Sequence, residues 1–122
     1  NMLVGVDSIE SARMSKNLND NTLRTFFTEY EINYSNVKNK VLRLAGIFCA
    51  KEAFSKALGT GIVGFNLNEV SLLHKENGKP YLEFSGKALE IVNESGLSFD
   101  ISITHTDSIA TAIVIAFRGE AL

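Results

Sequence analysis

Cysteine and proline each occur once in the 122 residues, as Cys49 and Pro80. A lone cysteine excludes an intramolecular disulfide and a cysteine-cluster zinc site, and it fits a reducing compartment. The net charge is −2, so no global positive field points to nucleic acid as a partner. No apolar run approaches the roughly 18 residues of a membrane helix, and no signal peptide is expected ahead of the first apolar stretch. No Walker sequence is present. Repeats, low-complexity runs and linkers are missing too. Asn1 ahead of Met2 reads as a cloning remnant, with the native chain expected to start at Met2. What remains is one cytoplasmic domain over residues 1–122, of ordinary globular composition at 45% hydrophobic and 21% charged.

The local patterns predict an α+β domain with a mostly antiparallel sheet. Met2 to Val6 is a short apolar run, expected as a buried strand ending at Asp7, with Ser8 capping the helix that follows. A short helix is predicted over Thr22–Phe27, and Thr28 with Glu31 forms a capping-box pattern. The longest predicted helix runs from about Val37 to Leu58. Leu44, Ile47, Phe48, Phe54 and Leu58 recur there at helical spacing, and Gly59-Thr60-Gly61 closes it. Strands are expected at Glu69–His74 and Tyr81–Phe84, joined through Asn77-Gly78, with Pro80 at a strand start or edge. A helix over Ser85–Glu94 precedes alternating and apolar strands at Ser98–Thr104 and Ile109–Phe117.

Three polar features are not explained by folding alone. Asp7 ends the first strand, where a helix dipole would favour it. Glu52 lies four residues after Phe48, on the side of an aromatic expected to be buried. Such a carboxylate is paired, metal-bound or at a cleft edge, and a surface pair with Lys56 is the simplest of these readings. His105 sits between Thr104 and Thr106 at a hairpin tip, which by itself describes a solvated turn residue. Together, two carboxylates suit a hard cation such as Mg²⁺, which completes its shell with water and phosphate oxygens. The turns Gly59-Thr60-Gly61 and Asn77-Gly78-Lys79 could bring backbone N–H groups to phosphates, with Lys56 and Lys79 as counter-charges. His74 reads as structural, and Cys49 as a packed helix residue.

In these residues the chain resembles the holo-acyl-carrier-protein synthases, the small bacterial type of phosphopantetheinyl transferase. The opening Gly5-Val6-Asp7-Ser8-Ile9-Glu10 with Arg13 is similar to that family's start, and Phe27-Thr28 with Glu31 to its second segment. Arg43 to Gly46, then Lys51-Glu52-Ala53-Phe54-Ser55-Lys56-Ala57-Leu58-Gly59-Thr60-Gly61, matches its signature. Asn77 to Pro80 and Ser102 to Thr106 complete the set in order. Ile47 stands where the family usually has arginine, and Ser8 where it usually has an aliphatic residue.

The resemblance implies transfer of phosphopantetheine from coenzyme A to a serine of apo-acyl carrier protein, in fatty acid biosynthesis. It makes Asp7 and Glu52 the Mg²⁺ ligands, and Glu52, Lys56 and His105 the catalytic set. His105 would act as a base or bind phosphate. Lys56, Gly59, Gly61, Asn77, Gly78, Lys79, Pro80, Thr104, His105 and Thr106 would hold the coenzyme. Arg13, Lys16 and Arg24 would meet the acidic carrier protein. Family members are homotrimers with sites between subunits, and the apolar residues on both faces of Ile109–Phe117 are compatible with that. The alternatives are a non-catalytic coenzyme A-binding module of the same fold, and a structural subunit in which Glu52 pairs with Lys56.

Overall fold

The computed structural model describes residues 2–119, so the reading of Asn1 lies outside the described residues. β1 (Met2–Glu10) leads into α1 (Ser11–Asn17), α2 (Asp20–Phe26), α3 (Glu29–Ser35) and α4 (Lys40–Leu58). A 3-10 turn at Leu67–Glu69 then precedes β2 (Val70–His74), β3 (Pro80–Phe84), α5 (Gly86–Ser95), β4 (Ser98–His105) and β5 (Ile109–Phe117). The α+β class holds, and every strand pair is antiparallel. The strands divide into two sheets, however, ordered β1-β5-β4 and β2-β3.

β1 does not stop at Asp7. It pairs with β5 along its whole length, from Met2 opposite Phe117 to Glu10 opposite Ile109. A long partner strand supplies the ladder bonds, so polar residues do not end the strand. Ser8 therefore caps nothing, and its hydroxyl lies 2.8 Å from Thr111 Oγ1 across the ladder. α1 starts at Ser11 without a side-chain cap. The Thr28–Glu31 capping box forms as expected. α4 begins three residues later than its periodicity suggests, because Asn39 takes a left-handed φ of 64° that a helix cannot contain. Pro80 starts β3 opposite His74.

α4 is not a surface amphipathic helix but the centre of the molecule. It packs on β1, β5 and β4 along one side and on α1, α3 and β2 along others. Small residues make this possible. A Cβ on Gly5 would lie 1.9 Å from the Ala53 carbonyl oxygen and 2.6 Å from the Ala57 nitrogen, so β1 and α4 touch backbone to backbone. Leu44, Ile47 and Phe54 are buried, whereas Phe48 and Leu58 are half-buried.

Burial on most sides of α4 also takes in Lys51, which is fully buried. Its ammonium donates to Glu31 Oε1 at 2.6 Å, the Phe26 carbonyl at 2.7 Å and the Leu67 carbonyl at 2.9 Å. Glu31 in turn accepts from the Thr28 N–H and, through its second oxygen, from the Leu72 N–H, both at 2.8 Å. Every charge is thus answered, the condition under which a buried pair is tolerated.

Candidate active site

Alternation along β1 puts Asp7 on the same face as Gly5, towards α4. The close approach allowed by Gly5 brings Glu52 and Lys56, one helical turn apart, to the Asp7 side chain. Lys56 Nζ lies 3.1 Å from Asp7 Oδ1 and 3.0 Å from the Val6 carbonyl. Glu52 is half-buried, and among the described residues it makes no ion pair. Desolvation pushes its carboxyl pKa up, the Asp7 charge adds to this, and Lys56 opposes it. The Asp7 charge is thus felt at Glu52. Cys49 lies beside them but is no nucleophile: burial, then Asp7, push its thiol to about 12.

No group of three or more His, Cys, Asp and Glu side chains converges among the described residues. Two carboxylates next to solvent fit Mg²⁺, a hard ion that keeps several waters and takes further oxygens from a phosphate substrate. They would not make a closed structural site.

The turn after α4 is tightly self-bonded. Gly59 has φ 83° and donates to the Lys56 carbonyl at 3.0 Å, while Gly61 donates to the Ser55 carbonyl at 3.3 Å. The hairpin turn behaves likewise, with the Gly78 N–H on the Lys75 carbonyl at 2.8 Å and the Lys79 N–H on Asn77 Oδ1 at 3.0 Å. These N–H groups, expected to face phosphates, already close their own turns. Lys79 is paired as well, 2.8 Å from Asp100 on β4.

His105 belongs to a second place. A cleft of about 410 Å³ runs beside the first half of α4, and His105, Gly78 and Pro80 line it. Tyr34, Arg43, Ile47 and His74 line it too, whereas Asp7, Glu52 and Lys56 do not. Arg43 and Lys56 are thirteen positions apart on α4, about 20 Å along the axis. His105 Nδ1 is 3.2 Å from the Thr106 carbonyl, which can only accept, so Nδ1 carries a proton and Nε2 is left for a ligand. Thr104 pairs with Thr111 and projects to the opposite sheet face. Thr106 closes the hairpin, its hydroxyl accepting from the Ile109 N–H at 3.1 Å.

Sequence reasoning took His74 as structural and overlooked Tyr34. His74 stacks on Tyr34 with centroids 4.0 Å apart, and both reach the cleft. The signal was available in part, because strand alternation puts His74 on the same face as buried Leu72. Arg13 and Lys16 are exposed on α1, around a shallow depression with Glu10 and Asn17. Arg24 is engaged in an ion pair with Glu29.

Comparison with known proteins finds relatives along nearly the whole chain. The profile of the 4′-phosphopantetheinyl transferase superfamily matches residues 3–114. A holo-[acyl-carrier-protein] synthase of Caldanaerobacter subterraneus is 41% identical over 123 residues, covering 98% of this chain and 97% of that one. Its counterpart in Treponema denticola is 40% identical over 116 residues, covering 92% and 94%. Among solved structures, a holo-(acyl-carrier-protein) synthase from Bacillus anthracis in complex with CoA (3′,5′-ADP) superimposes with a TM-score of 0.80. It is 30% identical and covers 98% of this chain and 100% of that one. The holo-[acyl-carrier-protein] synthase of Neisseria meningitidis gives a TM-score of 0.87 at 27% identity, over 95% and 98% of the two chains. This chain belongs to the 4′-phosphopantetheinyl transferase superfamily, and within it to the holo-[acyl-carrier-protein] synthases.

Proposed function

We propose that this chain transfers the phosphopantetheine group from coenzyme A to a serine of apo-acyl carrier protein, releasing adenosine 3′,5′-bisphosphate. The observation that carries the reading is the meeting of Asp7, Glu52 and Lys56 in a chain of this family. Asp7 and Glu52 hold Mg²⁺, which when bound supplies charge neutralisation at the diphosphate. Lys56, half-exposed beside Asp7, offers its ammonium to the same diphosphate. The serine oxygen bonds to the phosphorus on the pantetheine side, its proton passing to water, as the bond from that phosphorus to the bridging oxygen breaks and that oxygen leaves on adenosine 3′,5′-bisphosphate. His105, its Nδ1–H held on the Thr106 carbonyl, turns Nε2 to the nucleotide in the cleft and, as an imidazolium, donates Nε2–H to a phosphate oxygen. Gly78 and Pro80 form the adjoining wall.

The carboxylate pair and the cleft are separate within one chain, which supports a homotrimer that joins them across subunit boundaries. The free face of the β1-β5-β4 sheet supports it too: Met2, Val4, Val6 and Ile113 are 72%, 62%, 54% and 40% exposed there. The single buried core supports one domain. No helix among the described residues is long and apolar enough to cross a membrane. We assign the protein to the cytoplasm, where its carrier protein and coenzyme A meet, and to fatty acid biosynthesis.

The test is incubation with coenzyme A, Mg²⁺ and apo-acyl carrier protein, read by intact mass. A gain of one phosphopantetheine group per carrier is expected. Coenzyme A binding without any mass gain, under varied divalent metal, would overturn the transferase in favour of a binding module.

A further inference from the structure

The cleft beside α4 has an apolar floor, to which Ile47 contributes at 2% exposure, so position 47 offers no charge to a ligand there. One helical turn earlier, Arg43 stands on the same wall and is exposed. Its guanidinium lies 5.1 Å from the centroid of the Tyr34 ring, and Tyr34 is stacked on His74 at 4.0 Å and 19°. Tyr30 completes the support, its hydroxyl 3.3 Å from His74 Nδ1. Among the described residues Arg43 makes no ion pair and its side chain makes no hydrogen bond. Its donor fork is therefore held in place by a ring and not consumed by a partner. A guanidinium in that state is suited to bidentate capture of a phosphate, with less conformational freedom left to lose. Burial and the Arg43 charge hold His74 below its usual pKa, so the stack does not add a second cation against Arg43.

We propose that Arg43, braced on the Tyr34–His74 stack, determines substrate specificity by binding the phosphomonoester of a nucleotide in this cleft, supplying the charge that Ile47 lacks. The inference rests on the transferase reading for its substrate, because coenzyme A carries a phosphomonoester apart from its diphosphate. Lys56, about 20 Å away along the helix, serves the diphosphate of a different site on the same chain. Each complete site would then draw Lys56 from one subunit and Arg43 from its neighbour.

The experiment compares coenzyme A with 3′-dephospho-coenzyme A in wild type and Arg43→Ala, under steady-state conditions with apo-acyl carrier protein. Wild type is expected to prefer coenzyme A. Arg43→Ala should raise the KM for coenzyme A roughly ten- to hundredfold, leave kcat nearly unchanged, and leave the KM for the dephospho substrate where it was. Arg43→Lys should recover part of the preference. Equal losses on both substrates, or no loss on either, would overturn the inference. Titration of adenosine 3′,5′-bisphosphate against adenosine 5′-monophosphate separates this from failure of the transferase reading. A 3′-phosphate preference that Arg43→Ala abolishes upholds the inference even without turnover, and no preference in wild type refutes it.

Discussion

Lys56 reaches Asp7, at 3.1 Å, and not Glu52 one turn earlier on its own helix. The local Glu52–Lys56 pair that helical spacing suggests is set aside for a contact between residues 49 positions apart. Glu52 is left half-buried, with its carboxyl pKa raised and Asp7 as its neighbour. A purely structural subunit would have little reason to keep it so. If the pair holds a divalent ion, Asp7→Asn and Glu52→Gln each lower transfer roughly a hundredfold or more. Mg²⁺ affinity by calorimetry falls with activity, while circular dichroism stays that of the wild type. Full activity in either variant would remove that residue from the metal site.

The same burial sets a pH dependence in the metal-free protein. The folded-state pKa of Glu52 is raised, chiefly by desolvation. A raised carboxyl contributes stability that is present below the unfolded pKa and lost as pH rises through the folded one. Ionised Glu52 is thus a cost at neutral pH. In chelator, Glu52→Gln should melt above wild type at neutral pH, with the gap closing as pH falls below the ordinary carboxylate range. Added Mg²⁺ should raise the wild type alone.

Lys51 and Glu31 form the opposite kind of pair, fully buried and fully bonded. Lys51→Met leaves the Glu31 charge without its cation and should cost about 3–5 kcal/mol in urea unfolding. Adding Glu31→Gln, which keeps an acceptor for the Leu72 N–H, should recover much of that loss. A double variant no better than the single would show that packing, and not charge, sets the cost.

Gly5 tests the contact that positions the carboxylates. Gly5→Ala drives a methyl to 1.9 Å from the Ala53 carbonyl oxygen, so β1 must move from α4. We expect a loss of about 1–3 kcal/mol or more, measured by thermal unfolding. Because Asp7 lies two residues on, Mg²⁺ affinity should weaken in the molecules that still fold.

For the carrier protein, Arg13→Glu and Lys16→Glu should raise its KM and flatten the dependence of kcat/KM on salt, with kcat little changed. Arg24→Ala should do less, since Arg24 is already paired with Glu29. Stopped-flow association across ionic strengths checks both statements. An unaltered salt slope in Arg13→Glu and Lys16→Glu would mean that docking lies elsewhere.

Several features were decided by local physics and could be read directly. The Thr28–Glu31 capping box, the Asn77-Gly78 hairpin, Pro80 at a strand start and the glycine stop after Leu58 all concern neighbouring residues. Asp7, Glu52 and His105 each had an ordinary reading in the sequence as well, as a helix-start residue, a surface pair with Lys56 and a solvated turn residue. The tertiary structure decided what depends on distant partners. β5 carried β1 past Asp7, and the two-sheet split followed from which edges met. Enclosure of α4 on most sides turned Lys51 into a core residue and left Glu52 desolvated. Asp7 claimed Lys56, and three chain segments converged to set Arg43 above the Tyr34–His74 stack. Helical spacing shows which residues share a face of α4, but what lies against each face is fixed only by packing.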